Sequence, residues 1–102
     1  MKSKRSKAMD ITHKTRLEVF ERENYRCVLC GDIGTDCAHY LSRGAKGGLG
    51  IPENLVLLCR TCHFDLDQTP KRKDLLISVK HYLDLFYPNF QDKDRVYNKW
   101  RN

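Results

Sequence analysis

Four cysteines, arranged as two Cys-x-x-Cys pairs, are the residues of this chain whose spacing most clearly indicates chemistry. Cys27 and Cys30 form the first pair, Cys59 and Cys62 form the second, and residues 31–58 lie between them. Two such pairs can present four thiolate sulfurs to one ion, which is the tetrahedral ligand set of structural zinc sites. Two disulfides would use the same cysteines in a secreted protein, but the basic start of the chain lacks the apolar segment of a signal peptide. The pattern therefore predicts one structural zinc ion.

Three further polar residues lie close to these pairs in the sequence. His39 and Asn54 fall between the pairs, and His63 directly follows the second pair. A neutral imidazole can accept a proton near pH 7 and can also bind a divalent ion. The alternatives are a histidine bonded only to backbone for His39, a turn cap for Asn54, and a place in the zinc shell for His63. His13 and His81 have no motif around them and are interpreted as surface or packing residues.

The chain as a whole has the size and charge of one small basic domain. It contains 102 residues and carries a formal net charge of +6. A chain this short buries a modest core and often depends on a metal, while a basic surface suits a polyanionic partner. Residues 1–11 are expected to be a flexible basic arm and residues 12–102 a single domain. No apolar run approaches a membrane span, so we expect an intracellular protein whose paired cysteines bind metal.

Hydrophobic periodicity and turn residues predict the order knuckle, strand, loop, strand, knuckle and helix. The predicted elements are a helix over 13–23, strands over 35–41 and 54–59, helices over 62–68 and from 69 onward, and a short terminal helix near Val96, Tyr97 and Trp100. Thr12 is expected to cap the first helix, and Thr69 with Pro70 to begin the last long one. Cys37 is expected to be a buried strand thiol, with a ligand or redox role as the alternative.

In this order and spacing the chain resembles the HNH endonuclease family, whose ββα-metal core is set on a pair of zinc knuckles. The resemblance covers about residues 12–70 and is most like small phage or prophage HNH proteins. It is carried by Cys27-x-x-Cys30, Cys37-Ala38-His39-Tyr40, Arg43, Gly47-Gly48, the run from Glu53 to Cys59, and Cys62-His63. It implies a small α+β fold, with a ββα-metal core over about residues 36–70 on the four-cysteine zinc site. Helices would flank this core on both sides, the C-terminal ones within residues 71–102.

The resemblance also implies an activity and a set of roles. The activity is that of a metal-dependent DNA endonuclease that hydrolyses phosphodiester bonds, and of a nickase when one monomer acts alone. His39 matches the general base, and Asn54 matches the residue whose amide ties down the intervening loop and fixes the base. His63 matches a ligand of the catalytic ion, a Mg²⁺ or Mn²⁺ that would bind the scissile phosphate and stabilise the leaving oxygen.

One position departs from the family pattern. Many HNH enzymes have a metal-binding Asp or His directly before the base, whereas this chain has Ala38, which offers no ligand atom. Asp67 is one candidate replacement because it lies four residues after His63, on the same helical face. Asp36 is another because it lies two residues before Ala38, on the same side of a strand. Both have the alternative of being ordinary solvated carboxylates, and a His–Asp pair favours Mg²⁺ or Mn²⁺.

Basic residues indicate where DNA would be contacted. Arg43 and Lys46 lie beside glycines in the loop between the strands, where backbone and cation can approach a phosphate closely. A second group could track the backbone of a duplex, and a solvated face is the alternative for each group; it consists of Lys71, Arg72 and Lys73 together with the arm residues Lys2, Lys4, Arg5 and Lys7. No base-reading device is evident, so we expect weak sequence preference. Candidate pathways are phage DNA packaging alongside a terminase, recombination, and host-DNA degradation, all in the cytoplasm of a phage-infected or prophage-carrying bacterial cell.

A function of a different class stays open at this point. The chain could be a non-catalytic zinc module that only binds nucleic acid or docks a partner protein, having lost activity with the change at Ala38. His39, Asn54 and His63 favour the enzyme, because a binding module has no need of all three residues. Cleavage of supercoiled plasmid in the presence of Mg²⁺ or Mn²⁺ would separate the two hypotheses.

Overall fold

The computed structural model describes residues 2–98, which form a small α+β fold around a two-stranded antiparallel sheet. In chain order the elements are α1 (Lys4–Met9), α2 (His13–Arg22), β1 (Asp36–His39), a 3₁₀ turn (Pro52–Asn54), β2 (Leu55–Leu58), α3 (Arg60–Gln68), α4 (Arg72–Phe86) and a second 3₁₀ turn (Asp92–Arg95). Among these described residues, no helix combines the length and the apolar character needed to cross a bilayer.

The strand β2 is buried along its whole length because helices cover both faces of the sheet. Leu55 and Leu57 pack with Val19 of α2 on one face. Val56 and Leu58 face the opposite way and join the larger core cluster, which α3 and α4 complete. A strand covered on both faces has a continuous apolar run instead of an alternating pattern, as the four consecutive apolar residues of β2 do.

The strand β1 alternates between these two layers, and the alternation decides which of its residues face α3. Asp36 pairs with Leu58 and His39 pairs with Leu55 at the two ends of the antiparallel register. Ala38 is only 2% exposed and lies in the core cluster on the α3 side. Cys37 packs half-buried against the cluster on the α2 side, where burial raises the pKa of its thiol. Cys37 therefore packs in the strand as predicted, but it is half-buried where the sequence predicted a buried thiol.

The predicted boundaries of the central elements hold to within one or two residues. Thr12 caps α2 as expected, since its side-chain oxygen accepts from the backbone N–H of Thr15 at 3.1 Å. The two strands are shorter at both ends than their apolar runs suggested, because only four residues of each form the ladder. The helix α3 begins two residues earlier than predicted, because Cys59 acts as its N-cap and accepts from the N–H of Cys62.

The predicted start of α4 is wrong by two residues. Lys71, and not Thr69, occupies the N-cap position, and the helix begins after it. The hydroxyl of Thr69 donates to the carbonyl oxygen of Asp65 at 2.7 Å and accepts from the N–H of Lys71 at 3.2 Å. The Thr69–Pro70 pair therefore forms the turn between α3 and α4, because these local bonds compete with a cap.

Both chain ends differ from the sequence-based prediction. Within the segment 1–11, expected to be a flexible arm, Lys4–Met9 forms a helix that Ser3 caps and that Met9 anchors with 5% exposure. At the other end, Val96 is extended and forms a bridge with Gly48 in place of the predicted terminal helix. Long-range contacts therefore determine the structure at both ends of the described chain. Trp100 was also expected in the terminal helix, but it lies outside the described residues.

Candidate active site

The two Cys-x-x-Cys pairs converge on one point and form a cluster that could hold a metal such as zinc. The four Sγ atoms all lie within 4.8 Å of one another, and those of Cys30 and Cys59 are 3.6 Å apart. Sulfurs around a tetrahedral zinc ion are about 3.8 Å apart for a Zn–S bond of about 2.3 Å. Burial raises the pKa of Cys27, but backbone hydrogen bonds from Cys59, Cys30 and Leu29 outweigh it and lower that pKa to about 7. The residues therefore fit the predicted ion.

A tight turn and a helix N-terminus position the two Cys-x-x-Cys pairs. The first pair lies in a turn in which the N–H of Gly31 donates to the carbonyl of Cys27 at 2.9 Å, and Gly31 has a φ of +82° that favours glycine. The N–H of Val28 donates to the carbonyl of Leu57 at 3.0 Å and joins this turn to the sheet. The second pair occupies the N-terminus of α3, so the cluster links the first knuckle to the helix that carries His63.

A cleft of about 310 Å³ opens beside β1 and α3, and it brings together four of the candidate site residues that the sequence singled out: His39, Arg43, His63 and Asp67. The cleft is lined by Ile11, Cys37, Ala38, His39, Ser42, Arg43, Gly44, His63 and Asp67. Two imidazoles, one carboxylate and one guanidinium thus share a single concave surface. Such a combination suits an anionic substrate together with a proton acceptor and a cation.

His39, at the end of β1, is held by the N-terminal segment. Its Nε2 atom lies 3.1 Å from the carbonyl oxygen of Met9. Because a carbonyl oxygen only accepts, Nε2 carries the hydrogen and Nδ1 is the unprotonated nitrogen of the neutral ring. Burial lowers the pKa of His39, and Arg43 and His63 lower it further, while the Met9 carbonyl and Asp67 act in the opposite direction. His39 is therefore a neutral ring able to accept a proton at pH 7.

Asn54 is fully buried and holds the loop between the strands. Its Oδ1 accepts from the backbone N–H of Leu41 at 2.9 Å, and its Nδ2 donates to the carbonyls of Leu41 at 3.2 Å and Leu49 at 2.9 Å. The carbonyl of Asn54 also accepts from the N–H of Tyr40, next to His39, at 2.7 Å. One side chain therefore fixes the start and the end of the loop that contains Arg43.

His63, on the first turns of α3, lies between two carboxylates. Its Nδ1 is 2.9 Å from Oδ2 of Asp36, and its Nε2 is 3.1 Å from Oδ2 of Asp67. A neutral ring donates from only one nitrogen, so a second proton or a cation is needed for both contacts to be favourable. Donor atoms 3.1 Å apart match neighbouring ligands around an octahedral Mg²⁺, which are about 3.0 Å apart for bonds of about 2.1 Å. The pair formed by His63 and Asp67 therefore has the spacing of two adjacent ligands, while the four cysteines are the one group of three or more ligand side chains that converge among residues 2–98.

Asp36 contacts His63 on the α3 side of β1, the side that its spacing from Ala38 predicted, and its carboxylate has further partners. Besides His63, its carboxylate accepts from the guanidinium of Arg60 at 3.0 and 3.3 Å and from the hydroxyl of Thr35 at 3.0 Å. Burial raises the pKa of Asp36, but the bonds from His63, Arg60 and Thr35 lower it below its usual value overall. Asp36 therefore holds the Nδ1 side of the His63 ring, while Asp67 contacts Nε2 on the other side of the ring.

The loop between the strands carries two exposed cations, Arg43 and Lys46. Arg43 is exposed, and its Nη2 lies 3.0 Å from Oδ1 of Asp10, a residue that also pairs with Lys2 at 2.6 Å. Lys46 is exposed on the same loop, where its backbone N–H donates to the carbonyl of Ser42 at 3.1 Å. Arg43 therefore lines the cleft together with His39, whereas Lys46 lies on the same loop outside the cleft lining.

The cations at the start of α4 are not equivalent. Lys71 and Lys73 are exposed. Arg72 is half-buried, donates to the carbonyl of Leu66 at 3.0 Å and lies 3.5 Å from Oδ1 of Asp67. Arg72 therefore holds the last turn of α3 and the carboxylate of Asp67, whereas Lys71 and Lys73 remain exposed to a partner.

Sequence reasoning missed the contribution of the N-terminal segment. The carbonyl of Met9 bonds His39, Asp10 pairs with Arg43, and Ile11 lines the cleft. The signal was present in the run Met9-Asp10-Ile11, where two apolar residues interrupt a lysine-rich stretch.

Comparisons of this chain with protein-family models, with curated proteins and with solved structures give no match.

Proposed function

We propose that this protein is a metal-dependent DNA endonuclease of the HNH type, which hydrolyses phosphodiester bonds with a histidine base. The observation that carries the proposal is the convergence of His39, His63 and Asp67 on one cleft beside the exposed Arg43. A proton acceptor, a pair of donors for a divalent ion and a cation for phosphate are the groups that phosphodiester hydrolysis requires.

His39 is the general base in this proposal. Its Nε2 is engaged by the carbonyl of Met9, so Nδ1 receives the proton of the attacking water. Its lowered pKa keeps the ring neutral and therefore able to accept that proton at pH 7. Asn54 acts through the loop, because its three side-chain bonds fix the segment that begins two residues after the base.

The candidate ion site is formed by α3. Nε2 of His63 and Oδ2 of Asp67 would hold a Mg²⁺ or Mn²⁺, and Asp36 would keep the His63 ring in the required orientation. When bound, the ion would supply positive charge to the scissile phosphate and to the leaving 3′ oxygen. The four cysteines, in contrast, would hold a structural zinc ion that stabilises the fold.

DNA is the partner that the charge distribution favours. The chain carries a net charge of +6, Arg43 lines the cleft, and Lys46, Lys71 and Lys73 are exposed. These cations can contact phosphates without reading bases, which predicts weak sequence preference and strong salt dependence. A single cleft reaches one strand at a time, so a monomer would produce nicks.

Nicking of supercoiled plasmid with Mg²⁺ or Mn²⁺ tests the proposal. We expect His39→Ala to lower the rate by at least about a hundredfold, the usual scale for loss of a general base. Zinc content, melting temperature and DNA affinity should stay near those of the wild type. His13→Ala is the matched control, because His13 is an exposed histidine outside the cleft. Equal nicking by wild type and His39→Ala would refute the role of His39 as base.

The alternative is a zinc-containing module that binds nucleic acid or docks a partner protein without cleavage. Ala38 favours it, because this buried methyl group leaves the strand without the ligand found in many HNH enzymes. Such a module would bind DNA equally well as wild type and as His39→Ala, and neither form would show metal-stimulated nicking.

A further inference from the structure

The N-terminal helix α1 is docked onto the loop that Asn54 holds. The N–H of Gly50 donates to the carbonyl of Ala8 at 3.0 Å, and the side chain of Met9 is buried. Arg5 of the same helix lies over Gly47, since a Cβ at Gly47 would be 3.1 Å from its Nη2. The helix is thereby fixed against the loop at two points, although its sequence is mainly basic.

This docking places two polar groups at the C-terminal end of α1 against two side chains of the cleft, His39 and Arg43. The carbonyl of Met9 accepts the Nε2 hydrogen of His39 at 3.1 Å. The carboxylate of Asp10 accepts from the guanidinium of Arg43 at 3.0 Å. The Asp10 carboxylate also accepts from Lys2 at 2.6 Å, so its partner within the cleft is Arg43 and the partner of the Met9 carbonyl is His39.

We propose that the segment Ala8–Asp10 is a positioning element of the active site, in which the Met9 carbonyl orients the base and Asp10 orients the phosphate-binding Arg43. This inference rests on the proposed function. The carbonyl at Nε2 excludes the tautomer that carries its hydrogen on Nδ1, and it fixes the rotation of the ring. Without this acceptor the ring would sample both tautomers and several orientations, and fewer molecules would present Nδ1 as the base.

Gly50 provides a way to displace this segment without changing His39 or any charged group. A Cβ at Gly50 would lie 2.1 Å from the carbonyl oxygen of Asp10 and 2.9 Å from that of Met9. Real Cβ atoms do not approach backbone oxygens so closely, so Gly50→Ala must push the Met9–Asp10 backbone away from the loop. Val79→Ala is the control for a general loss of stability, because Val79 is fully buried on α4 and lies outside the cleft.

We expect Gly50→Ala to lower kcat by roughly 10- to 100-fold, the scale of a small misplacement of a catalytic group. Its KM should rise as well, because the same displacement moves Asp10 away from Arg43. Asp10→Ala should raise KM with a smaller change in kcat, because it releases Arg43 and leaves the Met9 carbonyl against His39. Val79→Ala, measured at a temperature where it is folded, should retain the wild-type kcat.

Nitrogen NMR of the His39 ring gives a readout that does not depend on cleavage. The wild type should show a hydrogen on Nε2 and an unprotonated Nδ1 at neutral pH, and Gly50→Ala should show a mixture of the two tautomers. Met9→Ala, which removes the buried anchor of α1, serves as the second variant if Gly50→Ala does not fold, and the same changes are expected. An unchanged kcat or an unchanged His39 ring spectrum in a folded variant would overturn the inference. If the wild type cleaves no DNA, the proposed function fails, and the ring spectra alone decide whether Met9 positions His39.

Discussion

Replacing Asn54 by alanine should destabilise the fold strongly, because the side chain is fully buried and makes three hydrogen bonds. A hydrogen bond contributes about 1 kcal/mol net, and a buried group left without its partner costs about 1–3 kcal/mol. The N–H of Leu41 and the carbonyls of Leu41 and Leu49 all lose this partner at once. We therefore expect Asn54→Ala to lower the free energy of unfolding by about 3 kcal/mol or more.

For a domain of this size, 1 kcal/mol corresponds to about 4–8 °C in melting temperature, so the expected decrease is roughly 12 to 24 °C. Thermal and urea unfolding of the zinc-loaded protein measure it, and His39→Ala is the comparison. His39 is half-buried and makes one bond, at 3.1 Å, so its replacement should shift the melting temperature much less. The order of effects should reverse for activity, because Asn54 does not carry the proton.

Amide hydrogen exchange locates the effect. Protection should fall across the loop from Leu41 to Leu49, while β2 should change only through the lower global stability. A melting temperature of Asn54→Ala within about 4 °C of the wild type would refute the reasoning. It would mean that water or a rearranged loop replaces all three bonds at little cost.

The remaining predictions concern the two candidate metal sites and the base. Cys59→Ser should lose zinc and fail to fold, because the free energy of zinc binding, about 10–16 kcal/mol, exceeds the stability of a small domain. Circular dichroism and elemental analysis check this, and a folded, zinc-free variant would contradict it. Asp36→Asn should raise the Mg²⁺ or Mn²⁺ concentration for half-maximal nicking by about 10- to 100-fold, since it weakens the orientation of His63, while Asp67→Asn should raise it at least as much and leave zinc content unchanged. The acid limb of kcat/KM should reach half its maximum below pH 6.5, because burial lowers the pKa of His39 and the neutral ring is the active form; a midpoint above pH 6.5, or an identical limb in His39→Ala, would argue against it.

Features that depend on local spacing were predictable from the sequence. The two Cys-x-x-Cys pairs indicated one cluster, the apolar run of β2 indicated a buried strand, and Thr12 before His13 indicated a helix start, and the structure has all three. In each case neighbouring residues carry the signal, because a knuckle, a short strand and an N-cap are formed by residues close together in the chain.

Features that depend on long-range contacts were not predictable in this way. The basic composition of residues 1–11 concealed a helix whose stability depends on burial of Met9 and on the bond from Gly50 to Ala8. Similarly, Val96 is extended because it pairs with Gly48, a partner far away in the sequence. Charge and periodicity are properties of a segment, whereas docking depends on the surface that the rest of the chain presents to it.

The roles of the two carboxylates beside His63 show the same limit within the site. Sequence spacing placed both Asp36 and Asp67 near the candidate ion, and both do contact the imidazole. Which ring nitrogen contacts each carboxylate depends on how α3 packs against β1. This packing is a tertiary property that sequence spacing does not predict. Arg60 and Thr35 fix the orientation of the Asp36 carboxylate, because both donate hydrogen bonds to its oxygen atoms.

Ala38 and the bond between Asp36 and His63 can be understood as parts of one arrangement. Ala38 is buried on the α3 face of β1, and its small side chain suits the close approach that places His63 2.9 Å from Asp36. A strand without a ligand at this position leaves the proposed ion to the pair formed by His63 and Asp67 on α3. Two protein ligands fill a minority of an octahedral shell, so water and the DNA phosphate must complete it. Metal and DNA should therefore bind cooperatively, and the metal alone should bind weakly, because the substrate itself supplies part of the site.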